Sequence, residues 1–286
     1  ISRMEGFKGY LSDLGGPSAN MYRMAGRNKD MCYKCGRPSC IWPAMCNNLE
    51  TSHRDILDLY KTVNSLPYIK KAFVGSGVRY DLLMKEYNRS AGSDEQHYLK
   101  ELIVNHTSGR LKVAPEHTDD EVLHLMRKSS FRHFRKLSEI FGGIIRSNGL
   151  KYELIPYFIS AHPGTTDEKM GALALELKDL GIHPEQVQDF TPTPMTLATA
   201  MYYLGFDPYT GKKVHVTRDI IGKRRQKEYF FKAGSMRQGA RGKEHGAGGK
   251  LTIRRMAEKN RSAAELGAAK SRKAGGHGTK RRSNKE

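Results

Sequence analysis

YELIPYFISAHPG, residues Tyr152–Gly164, decides how this chain is read. Tyr152–Ile159 is an apolar run of strand length, and Ser160-Ala161-His162-Pro163-Gly164 ends it with polar and turn-forming residues. The same unit recurs on both sides. Upstream, Leu111–Ala114 runs into Pro115-Glu116-His117, Lys71–Val74 into Gly75-Ser76-Gly77, and Phe7–Asp13 into Leu14-Gly15-Gly16-Pro17. Downstream, Val187–Phe190 runs into Thr191-Pro192-Thr193-Pro194.

Helical patterns fill the intervals. Ile56, Leu59, Tyr60 and Val63 recur at helical spacing behind a Ser52/Asp55 capping pair, and Pro67 ends that run. A helix from about Glu95 carries Leu99, Leu102 and Ile103, with His106 placed at its end rather than on a ligand. Thr118 and Glu121 form a capping box for a short helix through Met126, and a longer helix runs from Phe131 to Ser147 before Asn148-Gly149. Thr166 opens a helix through Leu180, closed by Gly181, and Leu197–Leu204 is helical before the turn at 207–211. Strand and helix thus alternate about five times, which predicts a parallel sheet covered by helices. Each strand carries its polar, Gly or Pro residues at its C-terminal end, the end that builds the active site in α/β barrels. Gly15-Gly16 is either a close-approach segment for a ligand or an ordinary tight turn.

The four cysteines lie together in one loop, Cys32, Cys35, Cys40 and Cys46, spaced C-x2-C-x4-C-x5-C. A chain of 286 residues does not need disulfide staples, so clustered thiols point to zinc or an iron–sulfur cluster. Spacing alone does not choose between the two metals, and reduced thiols packed around Trp42 and Met45 are the plain alternative.

Charge separates the chain into two parts. The net charge is +19, yet Lys223–Glu286 holds twenty Lys/Arg against five Asp/Glu, a surplus of 15, which leaves about +4 for the rest. After an amphipathic helix expected around Gln226–Lys232, the tail beyond Gly234 is poor in apolar residues and is expected to be disordered, with salt-sensitive RNA binding through phosphates as its functional reading. Its basic residues are not interleaved with aromatics as a base-stacking surface would be. No apolar run approaches membrane-span length, and the expected compartment is the cytoplasm. The chain opens on Ile1, and GFKGYLSDLGG reads as a strand already under way, so a preceding segment of a longer protein is expected.

Together these stretches resemble the YgiQ-type radical S-adenosylmethionine (radical SAM) family. The resemblance rests on SDLGGPSANMY (Ser12–Tyr22), Cys35/Cys40/Cys46, VGSGVRYD (Val74–Asp81), LKVAPEHT (Leu111–Thr118), PYFISAHPGTTDE (Pro156–Glu168), QVQDFTPTPMT (186–196) and MYYLGFDPYTG (Met201–Gly211). It covers about residues 6–232. It implies a partial (β/α), TIM-like barrel lacking its first strand over residues 1–210, an extension over 211–233, and the basic tail over 234–286. It implies S-adenosylmethionine and a [4Fe–4S] cluster as cofactors, reduced by a protein such as a flavodoxin, with the protein acting on an unknown substrate. The family's cluster motif, C-x3-C-x2-C, occurs nowhere in these residues. The resemblance therefore puts the cluster's ligands upstream, leaves Cys32–Cys46 for an auxiliary cluster or zinc, and predicts that this chain alone is inactive. By the same resemblance, Gly15 and Gly16 bind the methionine amino group, with Ser76 at the next strand end. Lys112, Glu116, His117, Ser160, His162 and Gly164 line the ribose and adenine, and Gln188 with Thr191 faces substrate. A zinc-bound nucleic-acid module with a basic tail is the alternative, and a barrel serving only as a scaffold is a third reading.

Overall fold

A computed structural model describes residues 2–16, 18–86, 93–185 and 187–235. The tail expected to be disordered lies outside these residues, apart from Gly234 and Ser235, which end a helix. Compactness divides the chain into Ile1–Phe231 and Lys232–Glu286, and all that follows concerns the first unit.

The chain is mixed α/β, with parallel strands in two small sheets. In the first, β1 (Tyr10–Leu11) pairs with β2 (Lys71–Ala72). In the second, β3 (Arg110–Glu116), β4 (Glu153–Ser160) and β5 (Val187–Asp189) lie in that order. The sheets approach each other where Val78 bridges Val113 and the Val74 N–H donates to the His106 carbonyl at 2.8 Å. Neighbours in sequence are thus neighbours in space, with no reversal of strand order of the kind that marks a doubly wound sheet.

The helices are α1 (Lys29–Tyr33), α2 (Arg54–Asn64), α3 (Tyr80–Glu86), α4 (Asp94–Asn105), α5 (Asp120–Leu125), α6 (Arg132–Ser147), α7 (Asp167–Asp179), α8 (Leu197–Leu204) and α9 (Ile220–Ser235). Strand β3 shows why one face is covered. Leu111, Val113 and Pro115 are buried against the helices, while Lys112 is exposed and Ala114 and Glu116 are half-buried on the other face. Leu99 and Leu102 of α4, Phe134, Leu137 and Phe141 of α6, and Leu173 of α7 complete that core. Each such side chain contributes about 1.5–3 kcal/mol by leaving water. The opposite face carries Lys112, Ile155, Tyr157, Ile159 and Gln188, of which Ile155 is buried and the others are half-buried or exposed. A parallel sheet is normally covered on both faces, so this open face is the unusual feature of the fold.

Several boundaries differ from expectation. The first two strands are only two residues long, with Gly9 turning at φ +86 before β1, although the Leu14 N–H still donates to the Phe73 carbonyl at 2.6 Å beyond the paired residues. Thr118 does not cap α5. Asp119 does, accepting from the Val122 N–H at 2.9 Å, because its own N–H is already given to His117 Nδ1. The N-cap position of α2 is His53 rather than Ser52, although the Ser52 hydroxyl accepts from the Arg54 N–H at 3.2 Å while donating to Asp94 at 2.9 Å. Helices α1 and α3 have no counterpart in the hydrophobic periodicity, and α9 begins six residues before the expected Gln226.

Candidate functional site

Three of the predicted strand ends meet. A cleft of about 490 Å³ is lined by Glu116 at the end of β3, Ile159 and His162 at the end of β4, and Gln188 and Phe190 at β5. Register slips between Val113 and Glu116, and Glu116 sits at φ +66, a left-handed value that its side chain disfavours. Its carboxylate is 3.1 Å from Lys128 Nζ.

His162 is held by a second strained turn. Ala161 lies at φ +58, and its buried N–H donates to Gln226 Oε1 at 2.9 Å. Gln226 Nε2 donates to the Thr165 carbonyl and to Thr217 Oγ1, so one side chain of α9 clamps both ends of the turn. His162 Nδ1 donates to the Pro163 carbonyl at 2.8 Å, which leaves Nε2 as the acceptor of the neutral ring. Burial pushes its pKa down to about 4, against the raising effect of that carbonyl.

The other candidates fall elsewhere. Ser160 donates to Asp189 Oδ1 at 2.6 Å and joins β4 to β5 rather than facing the cleft. His117 is fully buried, with Nδ1 accepting from Asp119, and serves the turn into α5. Gly164 is needed for packing: at φ +92 it donates to the His215 carbonyl, and a Cβ there would stand 2.4 Å from Leu125 Cδ1. Lys112 is exposed on the open sheet face. Gly15 and Gly16 line a separate cavity of about 470 Å³ with Leu14, Tyr22 and Ile56. Ser76 Oγ donates to Asp13 Oδ2 at 2.6 Å. Burial raises the Asp13 carboxyl, but the bonds from Ser76 and Gly75 outweigh it and hold the group below its usual range.

The cysteine loop folds as two local pairs. The Cys35 N–H donates to the Cys32 carbonyl, and the Cys46 N–H to the Cys40 carbonyl. Cys32 Sγ accepts from Asn48 at 3.2 Å. All four are free thiols, and among the described residues no group of three His, Cys, Asp or Glu side chains is gathered for a metal. The loop does reach the cleft region. Trp42 packs edge-on against His124 at 4.8 Å, and the Arg127 guanidinium lies 5.5 Å from the Trp42 ring centre and 4.8 Å from that of Tyr209. Arg127 and Lys128 both border the cleft, yet in the sequence they are only two basic residues after a helix. Gln226 was equally silent, because its partners lie 61 and 65 residues away.

This is an α/β chain with a cleft of mixed polar and apolar lining at the C-terminal ends of parallel strands. The family model described as "Domain of unknown function (DUF3362)" matches residues 185–233, from β5 through α9. A UPF0313 protein of Bacteroides thetaiotaomicron is 54% identical over 232 residues, which is 81% of this chain and 37% of the relative. One from Porphyromonas gingivalis is 53% identical over 234 residues, again 81% and 37% of the two chains. A third, from Methanosarcina acetivorans, is 42% identical over 213 residues, 74% of this chain and 28% of the relative. Over its matched length the chain belongs to the UPF0313 proteins, the YgiQ-type family. It spans little more than a third of the first of these relatives, at 37%. Among the described residues no helix is long and apolar enough to cross a membrane.

Proposed function

We propose that this chain forms part of a radical SAM enzyme of the YgiQ type, with the open sheet face as the interior of a partial (β/α) barrel and the strand-end cleft as the nucleoside site of S-adenosylmethionine. One observation carries this reading. Glu116, His162 and Gln188, from three successive parallel strands, converge on a single cleft beside an uncovered sheet face. The residues suit the ligand. The cleft's 490 Å³ lies within the range of small-molecule sites. Ile159, Phe190 and Leu197 offer apolar surface for adenine, and Glu116 and His162 Nε2 are acceptors for ribose hydroxyls. A neutral His162 places no positive charge beside a sulfonium. When bound, S-adenosylmethionine with a reduced [4Fe–4S] cluster supplies a 5′-deoxyadenosyl radical. What the chain's own residues do is bind, orient and shield: Lys128 fixes Glu116, and Gln226 fixes the turn that carries His162.

Equilibrium dialysis with labelled S-adenosylmethionine tests this. Saturable binding is expected, at least tenfold weaker in Glu116→Ala, since a charge-assisted hydrogen bond contributes about 1.5–3 kcal/mol. Tyr68→Ala, 47% exposed and outside the cleft, should bind as the parent does. Absent binding, or binding indifferent to Glu116, contradicts the assignment. Dithionite-reduced chain alone should yield no 5′-deoxyadenosine.

The loop carrying Cys32, Cys35, Cys40 and Cys46 is the second element of the proposal. As placed, its thiols are not a metal site; drawing the two pairs together would create a four-thiolate set. Elemental analysis reads this. Cys40→Ala should lower the zinc or iron carried per chain, and unchanged metal content would leave these as plain thiols.

A further inference from the structure

Four aromatic rings lead outward from the cleft. His162 meets Phe190 edge-on at 5.2 Å, Phe190 meets Tyr202 at 5.7 Å, and Tyr202 meets Tyr203 at 5.5 Å. The series begins at a ring that is 4% exposed and ends at Tyr203, which is 69% exposed. Two cations border it: Arg218 lies 5.7 Å from the Tyr202 ring centre, and Lys223 lies 5.2 Å from it. Arg218 is fixed there by donating to the Tyr202 and Tyr203 carbonyls at the C-terminal end of α8. In the sequence these cations stand 16 and 21 residues from Tyr202, so no local pattern announces this face.

We propose that this face binds single-stranded RNA and presents one of its nucleotides, as substrate, at the Gln188–Thr191 side of the strand-end cleft, beside the bound S-adenosylmethionine. The second half rests on the function proposed above; the first half does not.

Charge favours a polyanion. Residues 195–231 hold seven Lys/Arg against three Asp/Glu. Two of those acids are turned inward to local backbone: Asp207 accepts from the Tyr209 N–H, and Asp219 from the Gly222 N–H. In sequence, α9, which carries Lys223, runs on into the lysine- and arginine-rich tail. Rings and cations together serve an unpaired strand, whose bases stack on aromatic faces while phosphates meet the cations. A duplex hides its base faces, and a nucleotide entering a cleft has to leave its stack. Ribose is favoured over deoxyribose because Thr191, Thr193 and Gln188 border the cleft, and their hydroxyl and amide groups suit a 2′-hydroxyl. Ile220 and Ile221, 68% and 76% exposed, would suit a protein partner instead, which makes that a rival outcome.

Fluorescence anisotropy with a labelled twelve-nucleotide single-stranded RNA, using the full chain, tests the binding half. Tyr203→Ala should weaken binding roughly tenfold and Tyr203→Phe less than twofold, the pattern of a stacking ring. Its exposure makes Tyr203 a substitution that leaves the core intact. Arg218→Gln with Lys223→Gln should reduce the slope of log K against log salt by about one to two. Photocrosslinks from 4-thiouridine RNA should fall on Tyr202 or Tyr203. Crosslinks confined to residues beyond Ser235, affinities unmoved by Tyr203→Ala, or equal binding of duplex RNA and heparin would overturn the proposal, as would failure of RNA to bind at all. S-adenosylmethionine dialysis on the same variants keeps the two readings apart, because Tyr203→Ala should leave it unchanged.

Discussion

Between pH 7 and pH 5 the folded chain should lose on the order of 5 kcal/mol of stability. His53, His117 and His162 are each 4% exposed or less, and burial pushes all three pKa values down to about 4. His53 is boxed in by Tyr98 at 4.6 Å and by Asn20, whose amide donates to Nε2. Unfolding returns each ring to an ordinary value near 6.5. From about pH 6.5 down to 4 the unfolded chain therefore binds protons that the folded chain does not. Stability is complete above that window and is lost as pH falls through it, at about 2 kcal/mol per ring by pH 5. Glu50, held near 2 by Arg27, titrates well below this window. Urea unfolding at pH 7 and pH 5 measures the loss, and an unchanged midpoint would show that these rings are not buried as described. A domain holding 5–15 kcal/mol in total should approach acid unfolding near pH 5.

Gln226→Leu should destabilise the fold by about 3–5 kcal/mol, because it leaves two buried backbone groups unpaired at about 1–3 kcal/mol each and a hydroxyl short of a partner. The groups are the Ala161 N–H, the Thr165 carbonyl and Thr217 Oγ1. Ala161 at φ +58 relies on that bond to hold a backbone conformation it disfavours, so the turn should relax and carry His162 with it. Gln226→Glu keeps the acceptor for Ala161 but gives up both donors, and should fall between parent and Gln226→Leu. Chemical denaturation gives the energies. A loss below 1 kcal/mol for Gln226→Leu would mean that α9 does not clamp the cleft.

What the sequence showed and what it hid divide along the range of the contacts. The strands, and the placing of Glu116, His162 and Gln188 at their ends, follow from local apolar runs closed by polar residues, and Thr166 caps α7 as its pattern requires. The caps were read one residue early: His53 stands at the N-cap of α2, with Ser52 Oγ still taking the Arg54 N–H, and Asp119 rather than Thr118 caps α5. Lys128 opposite Glu116, Gln226 behind Ala161 and the ring series ending at Tyr203 are products of tertiary packing, with no local pattern to announce them. Gly15-Gly16 looked like a ligand-approach segment, and the structure does set it beside a cavity, but one separate from the cleft. The four thiols are close in sequence, and as placed they form two local pairs, with no group of three gathered for one ion among the described residues.

The most direct measurement uses the Bacteroides thetaiotaomicron relative with this chain replacing its matched segment, reconstituted anaerobically with iron and sulfide and reduced with dithionite. S-adenosylmethionine is added and 5′-deoxyadenosine is quantified by chromatography. The proposed radical SAM role predicts at least one equivalent per chain, falling tenfold or more when Glu116→Ala is introduced. A folded, cluster-loaded protein that forms none, or that forms as much with Glu116→Ala, would contradict it.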